Sequence, residues 1–314
     1  MQPSQPPARQ PEQTSATPAI EWRGIGVFLG LAFGLTWGIW AVVYLLGGLE
    51  NLFVFTVGSL LAMWGPGVGA IICSRYITPM SARELGMQRG NLDRYGSIYI
   101  FVVLFLIAAM VLSVGLGFQE INAALEPLSS EIVDEPYPFN DPILVTFVTI
   151  IGSFTLAALF NSLFALGEEL GWRGYLLAKL APLGMGRASL VIGLIWGIWH
   201  APAIYMGYNY PGHPYLGVLL MVWFTVGWSV ILTWLRQETK SVLAAAFGHG
   251  LINATAGLPL LLLLDADSLI RAPLGVTGLV PLTLLAFIAF ALLWRRERED
   301  AVHNAATEPG STAG

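Results

Sequence analysis

Eight long apolar runs, at about 24–46, 53–76, 97–118, 143–166, 188–208, 215–235, 241–264 and 276–294, leave this 314-residue chain few folds to choose from. A helix needs about 20 mostly apolar residues to cross a hydrocarbon core of about 30 Å. The runs are continuously apolar instead of alternating, which favours helices over a β-barrel. The fold class expected is therefore all-α: a polytopic membrane bundle of about eight transmembrane helices. Composition agrees, with 55% hydrophobic and 11% charged residues where a soluble domain carries about a quarter charged. A net charge of −5 gives no basic footprint for nucleic acid. Cys73 stands alone in an apolar run, so no internal disulfide or multi-cysteine metal site is open to it.

Residues 1–20 are rich in Pro, Gln, Ser and Thr without apolar periodicity, which reads as a disordered tail; 299–314 is a second polar tail. Between them, 21–298 reads as one membrane-embedded domain. Placing the N-terminus in the cytoplasm puts every Lys and Arg except Arg271 in inner loops and tails. The positive-inside rule thus predicts cytoplasmic N- and C-termini and a multi-pass protein of a prokaryotic plasma membrane. Gly26, Gly30, Gly34 and Gly38 recur every fourth residue in the first run, a small-residue face expected to pack internally, with a homodimer contact as the alternative. Pro66 should kink the second run.

Ionisable groups inside a bilayer cost about 2.5–3.5 kcal/mol each on insertion scales, so the few in this chain stand out. Glu168 and Glu169 close the fourth run, followed by Arg173; His200 lies in the fifth; His249 and Asn253 lie in the seventh. Glu169 and Arg173 are one turn apart and can pair, whereas Glu168 points about 100° away. His249 and Asn253 share a face in the same way. Pro202 removes a helix donor just beyond His200 and should bend that helix. Singly, each residue reads as well as a helix–helix tie or a carbonyl-bonded histidine; the constellation is the signal.

The three patterns Glu168-Glu169-x-x-x-Arg173, Trp196-x-x-x-His200 and His249-x-x-x-Asn253, within about 143–265, resemble the motifs of the CPBP/Abi family. That family contains the type II CAAX prenyl endopeptidases and bacteriocin-immunity proteins. Trp196 departs from the Phe common there. The resemblance implies an intramembrane endopeptidase for a membrane-associated, possibly prenylated peptide, its site open to the cytoplasm. It implies Glu168 as base, His200 as second holder of the water, and His249 and Asn253 as oxyanion donors. Glu169 and Arg173 would support the helix end or position substrate. No Ser or Cys nucleophile stands in the motifs.

A zinc site of Glu168, His200 and His249 is the mechanistic rival, but no His-Glu-x-x-His string is present, and the cofactor-free glutamic form is favoured. A peptide-binding immunity protein is the alternative function; a proton-coupled transporter ranks last, since no paired broken-helix repeat is evident. Depth raises one question. A straight helix from Ile143 puts Glu168 about 38 Å along, beyond a core of about 30 Å. That helix must tilt, start above the membrane, or break near Gly167.

Overall fold

The computed structural model describes residues 20–123, 125 and 141–307. The expected tail at 1–20, Ile20 excepted, the acidic stretch from Glu126 to Glu135 and residues 308–314 lie outside the described residues. The helices are α1 (Trp22–Leu45), α2 (Leu52–Ala62), α3 (Gly65–Ile72), α4 (Ser97–Gly115), α5 (Pro142–Phe154), α6 (Leu156–Glu169), α7 (Leu177–Leu180), α8 (Met185–Trp199), α9 (Ala201–Tyr205), α10 (Pro214–Thr239), α11 (Val242–Thr255), α12 (Leu258–Leu262) and α13 (Val276–Thr307). Seven spans are long and apolar enough to cross a membrane. The eighth expected crossing, 188–208, is instead the 15-residue α8 followed by α9. Among the described residues the only β pairing is an isolated bridge between Ile121 and Leu263. The chain is an all-α polytopic bundle.

Several helix starts are written in side chains. Asn51, Asp141 and Ser241 each accept a hydrogen bond from a first-turn amide, of Val54, Ile143 and Leu243 respectively, so orphan donors at those ends are satisfied. Pro142 and Pro214 stand in first turns, where no amide hydrogen is missed. Lys240, at φ +58, ends α10, and Ser241 starts α11 at once.

The second run divides at Met63–Trp64, with Pro66 in the first turn of α3. The fourth run breaks at Thr155, whose backbone sits at φ −126, ψ −94, and not near Gly167. Thr155 turns its hydroxyl back onto the Ile151 carbonyl at 2.7 Å, a competing bond that weakens the helix there. At Gly167 the helix continues and serves a crossing: an added Cβ would lie 2.8 Å from Trp64 Cα, and one at Gly67 would lie 2.7 Å from Gly167 O. α3 and α6 therefore meet backbone to backbone. Gly250 does the same for α11, where a Cβ would lie 2.7 Å from the Ala158 carbonyl oxygen of α6. These contacts hold α6 between α3, which it meets near its C-terminal end, and α11, which it meets near its start.

The glycine face of α1 corrects an expectation. A Cβ at Gly26, Gly30, Gly34 or Gly38 would meet nothing within 4 Å, so this face looks out of the bundle instead of packing inside it. The opposite face, with Ile25, Phe28, Ala32, Thr36, Trp40 and Val43, is the buried one. Large apolar groups such as Leu45, Phe53, Ile143 and Phe287 are exposed around the bundle, as a lipid-facing surface requires.

Candidate active site

α6 ends on the two adjacent glutamates and passes into a wider π-helical turn, Leu170–Leu176, that carries Arg173; such turns recur at functional sites. Glu168 and Glu169 are both buried, yet they look in different directions. Glu168 lines a cavity of about 260 Å³ together with His200, His249 and Asn253. Glu169 does not line it. Its Oε1 accepts from Arg173 Nη1 and from His249 Nδ1, each at 2.9 Å. Glu169 Oε2 and Arg173 Nε and Nη2 have no hydrogen-bond partner among the described residues. One carboxylate oxygen therefore ties both Arg173 and His249.

Trp196 separates these two environments. Its ring lies 4.5 Å from the Arg173 guanidinium carbon and meets His249 edge-on with centroids 5.1 Å apart. Its indole N–H donates to Glu168 Oε2 at 2.6 Å, a bond that a Phe in this position could not make. Its backbone carbonyl lies 2.8 Å from His200 Nδ1. That carbonyl is available because the His200 amide bonds to Gly197 instead, the helix stopping at Trp199 and restarting at Ala201 with Pro202 in the first turn. With the Nδ1 proton donated to the carbonyl, the neutral His200 ring keeps Nε2 as an acceptor. Trp199 packs edge-on against the same ring at 4.8 Å.

His249 is buried, with its Nδ1 occupied by Glu169. Asn253, one turn on, is exposed at the cavity wall. The spacing of the motifs thus brings Glu168, His200, His249 and Asn253 to one cavity, and sets Glu169 and Arg173 behind it. Further polar residues line the cavity, among them Asn161, Tyr208 and Asn209, with Ser59 and Thr225. Asn161 had a signal that reasoning from the motifs passed over, being seven residues before Glu168 and so on its helix face. Tyr208 and Asn209 stand in a connecting loop, where no periodicity marks them. The remaining wall is largely apolar, with Trp40, Met221, Phe224, Trp228 and Ile252 among its residues.

Glu168, His200 and His249, the set weighed for zinc, all line the cavity. Among the described residues no group of three or more His, Cys, Asp and Glu side chains is placed to hold an ion.

Residues 137–255 match the family described as type II CAAX prenyl endopeptidase Rce1-like. Over that core the chain is similar to this family. The CAAX prenyl protease 2 of Methanococcus maripaludis is similar to it, 31% identical over 116 residues, which cover 34% of this chain. The chain spans about two fifths of the length of that relative, 39%. The matched core contains Glu168, Glu169, Arg173, Trp196, His200, His249 and Asn253, and all of α5 to α11.

Proposed function

We propose that this protein is an intramembrane endopeptidase in which Glu168, with His200, activates water against a peptide bond of a membrane-associated substrate. The observation that carries the reading is the convergence of a buried carboxylate, two imidazoles and an amide on one largely apolar cavity. Peptide hydrolysis needs a base for the attacking water and donors for the oxyanion. Glu168 keeps Oε1 free of the Trp196 bond, and His200 keeps Nε2, so two acceptors are available to hold one water. The water oxygen bonds the carbonyl carbon as its proton passes to Glu168. The C–N bond then breaks, and the same proton leaves on the amine. Asn253 can donate to the oxyanion through its amide. His249 can do so only through Nε2, because Nδ1 is given to Glu169; that requires the protonated ring.

The mechanism so proposed needs no metal. Activity should therefore persist through prolonged treatment with strong chelators. Loss of activity on chelation, with recovery on adding zinc, would reverse this part of the reading. The name of the archaeal relative points to prenylated CAAX peptides; the substrate class proposed for this chain is broader, a peptide held at or in the bilayer. Cleavage of lipidated and unlipidated peptides by the purified protein tests the whole reading. Cleavage should disappear with Glu168→Ala; activity that survives this change would contradict the reading. Peptide binding without cleavage would favour the immunity-type alternative.

A further inference from the structure

Arg173 also lines a second cavity, of about 310 Å³, that the proposed chemistry leaves unused. Its wall holds the cations Arg83, Arg173, Arg236 and Lys240 and the amides Gln88 and Gln237, and no carboxylate. Arg173, 1% exposed, forms the inner wall, and Arg83 and Lys240, both exposed, form the rim. Arg173 thus belongs to both regions. Its Nη1 holds Glu169, while its Nε and Nη2 have no hydrogen-bond partner among the described residues.

The pocket is held in shape by its backbone. The Val242 amide donates to the Gly86 carbonyl at 2.8 Å and Gln88 to the Lys240 carbonyl at 2.7 Å. The Asn91 amide donates to the Thr239 carbonyl at 2.8 Å, so carbonyls at the end of α10 are already answered. Gly86, at φ +81, lets the Arg236 guanidinium lie against this turn; an added Cβ would lie 2.6 Å from its Cζ. Arg236 Nε is buried without a hydrogen-bond partner, and Arg83, Arg236 and Lys240 form no ion pair among the described residues. The carboxylate of Glu238, next but one to Arg236, is held by Arg296. Taking charge out of water without a counter-charge is costly, and an anion in this space would supply it. Gln88 Oε1, also buried and unpartnered, offers an acceptor to a hydroxyl on the same ligand.

We infer that this pocket binds the phosphate headgroup of an anionic phospholipid at the ends of the spans. α10 is long and apolar enough to cross a membrane and ends at Thr239. Arg236 and Lys240 therefore stand where hydrocarbon gives way to headgroups. Basic pockets between transmembrane helices suit such headgroups, and the planar guanidinium fork matches phosphate oxygens two at a time. Leu177, Ala178 and Met185 complete the wall and can cover the glycerol and first acyl carbons. A free phosphate shares the anionic chemistry but leaves that apolar wall uncovered. The inference does not depend on hydrolysis at Glu168.

The test is native mass spectrometry of the full chain in detergent, titrated with phosphatidylglycerol, phosphatidylcholine or inorganic phosphate. The wild-type protein should retain phosphatidylglycerol about ten-fold more tightly than phosphatidylcholine. Arg236→Gln with Lys240→Gln should weaken that binding about twenty-five-fold, about five-fold for each cation removed. Arg295→Gln, which removes a cation outside the pocket, should leave it unchanged. Should the double variant fail to fold, Arg83→Gln at the exposed rim should weaken binding about five-fold at an unchanged unfolding temperature. Equal retention of the two lipids, or unchanged phosphatidylglycerol binding by the pocket variants, overturns the inference. Binding of inorganic phosphate without retention of the lipid makes this a free-anion site and overturns it too. The readout involves no cleavage, so its failure leaves the endopeptidase reading standing, and an inactive wild-type protein leaves the lipid site standing.

Discussion

Glu168 and Glu169 are neighbours in sequence, alike in chemistry and equally buried, and yet they occupy two different regions. Glu169 sits in a packed ionic knot, holding Arg173 and His249 at 2.9 Å each. Glu168 faces a cavity, with the Trp196 indole donating to it at 2.6 Å and histidine and asparagine opposite. Under the proposed function, one helix end serves structure on one face and chemistry on the next, about 100° round. The knot holds the His249 imidazole that also lines the cavity, so the two regions meet at His249 and Trp196.

Breaking the knot should have the largest effect on folding. Glu169→Gln leaves Arg173 without its charge partner in an apolar interior, where losing one member of a buried pair costs about 3–5 kcal/mol. Thermal unfolding in detergent should show a large loss of stability. An unchanged transition would mean that the knot does not hold the helix end.

Asn253→Ala tests the cavity side at its edge. Removing one oxyanion donor typically costs about 3–4 kcal/mol of barrier, a hundred- to thousand-fold in turnover. Because Asn253 is exposed at the wall, the unfolding temperature should barely move. A fall in stability matching the loss of activity would assign Asn253 to helix packing instead.

Trp196→Phe sharpens the boundary between the regions. It keeps a ring over Arg173 but deletes the donor to Glu168, and a hydrogen bond to a charged group is worth about 1.5–3 kcal/mol. Turnover should fall about ten- to a hundred-fold with the fold intact. No change in turnover would show that the indole N–H serves only packing.

The smallest effect lies in the loop between α12 and α13. The Leu269 amide and His213 hold the Asp267 carboxyl below its usual range. A folded-state pKa below the unfolded value gives stability that is present above about pH 3.9 and lost as pH falls through the folded value. Asp267→Asn should therefore lower the unfolding temperature slightly at neutral pH, and the difference should vanish in acid. A difference that persists at low pH would assign the effect to something other than ionisation.

Much of the bundle could be read from the apolar runs, because a bilayer imposes length and continuity on every span. Glu168, His200 and His249 stood out because charge and imidazole are costly there. What could not be read depends on neighbours. Nothing near Thr155 signals a break more strongly than glycine at 167 did, yet Gly167 is needed for the α3 crossing and keeps its helix. The α1 glycines form a smooth face in any sequence reading; only the placement of Phe28 and Trp40 toward the core shows that this face looks outward. Trp196 was visible as an aromatic, whereas the direction of its N–H depends on how α8 meets α6. α13 runs on to Thr307, past the end of its apolar stretch, with Arg295 and Glu299 paired one turn apart at 2.8 Å.

The most direct test of the central claim compares turnover and thermal unfolding of Glu168→Gln with those of Glu169→Gln. The account predicts a Glu168→Gln protein that unfolds near the wild-type temperature and has lost its turnover by at least the hundred- to ten-thousand-fold typical of a general base. Glu169→Gln should lose stability, and lose activity only to the extent that His249 is released. An active Glu168→Gln protein beside a well-folded but inactive Glu169→Gln would contradict the account, because the reacting carboxylate would then be the one in the knot.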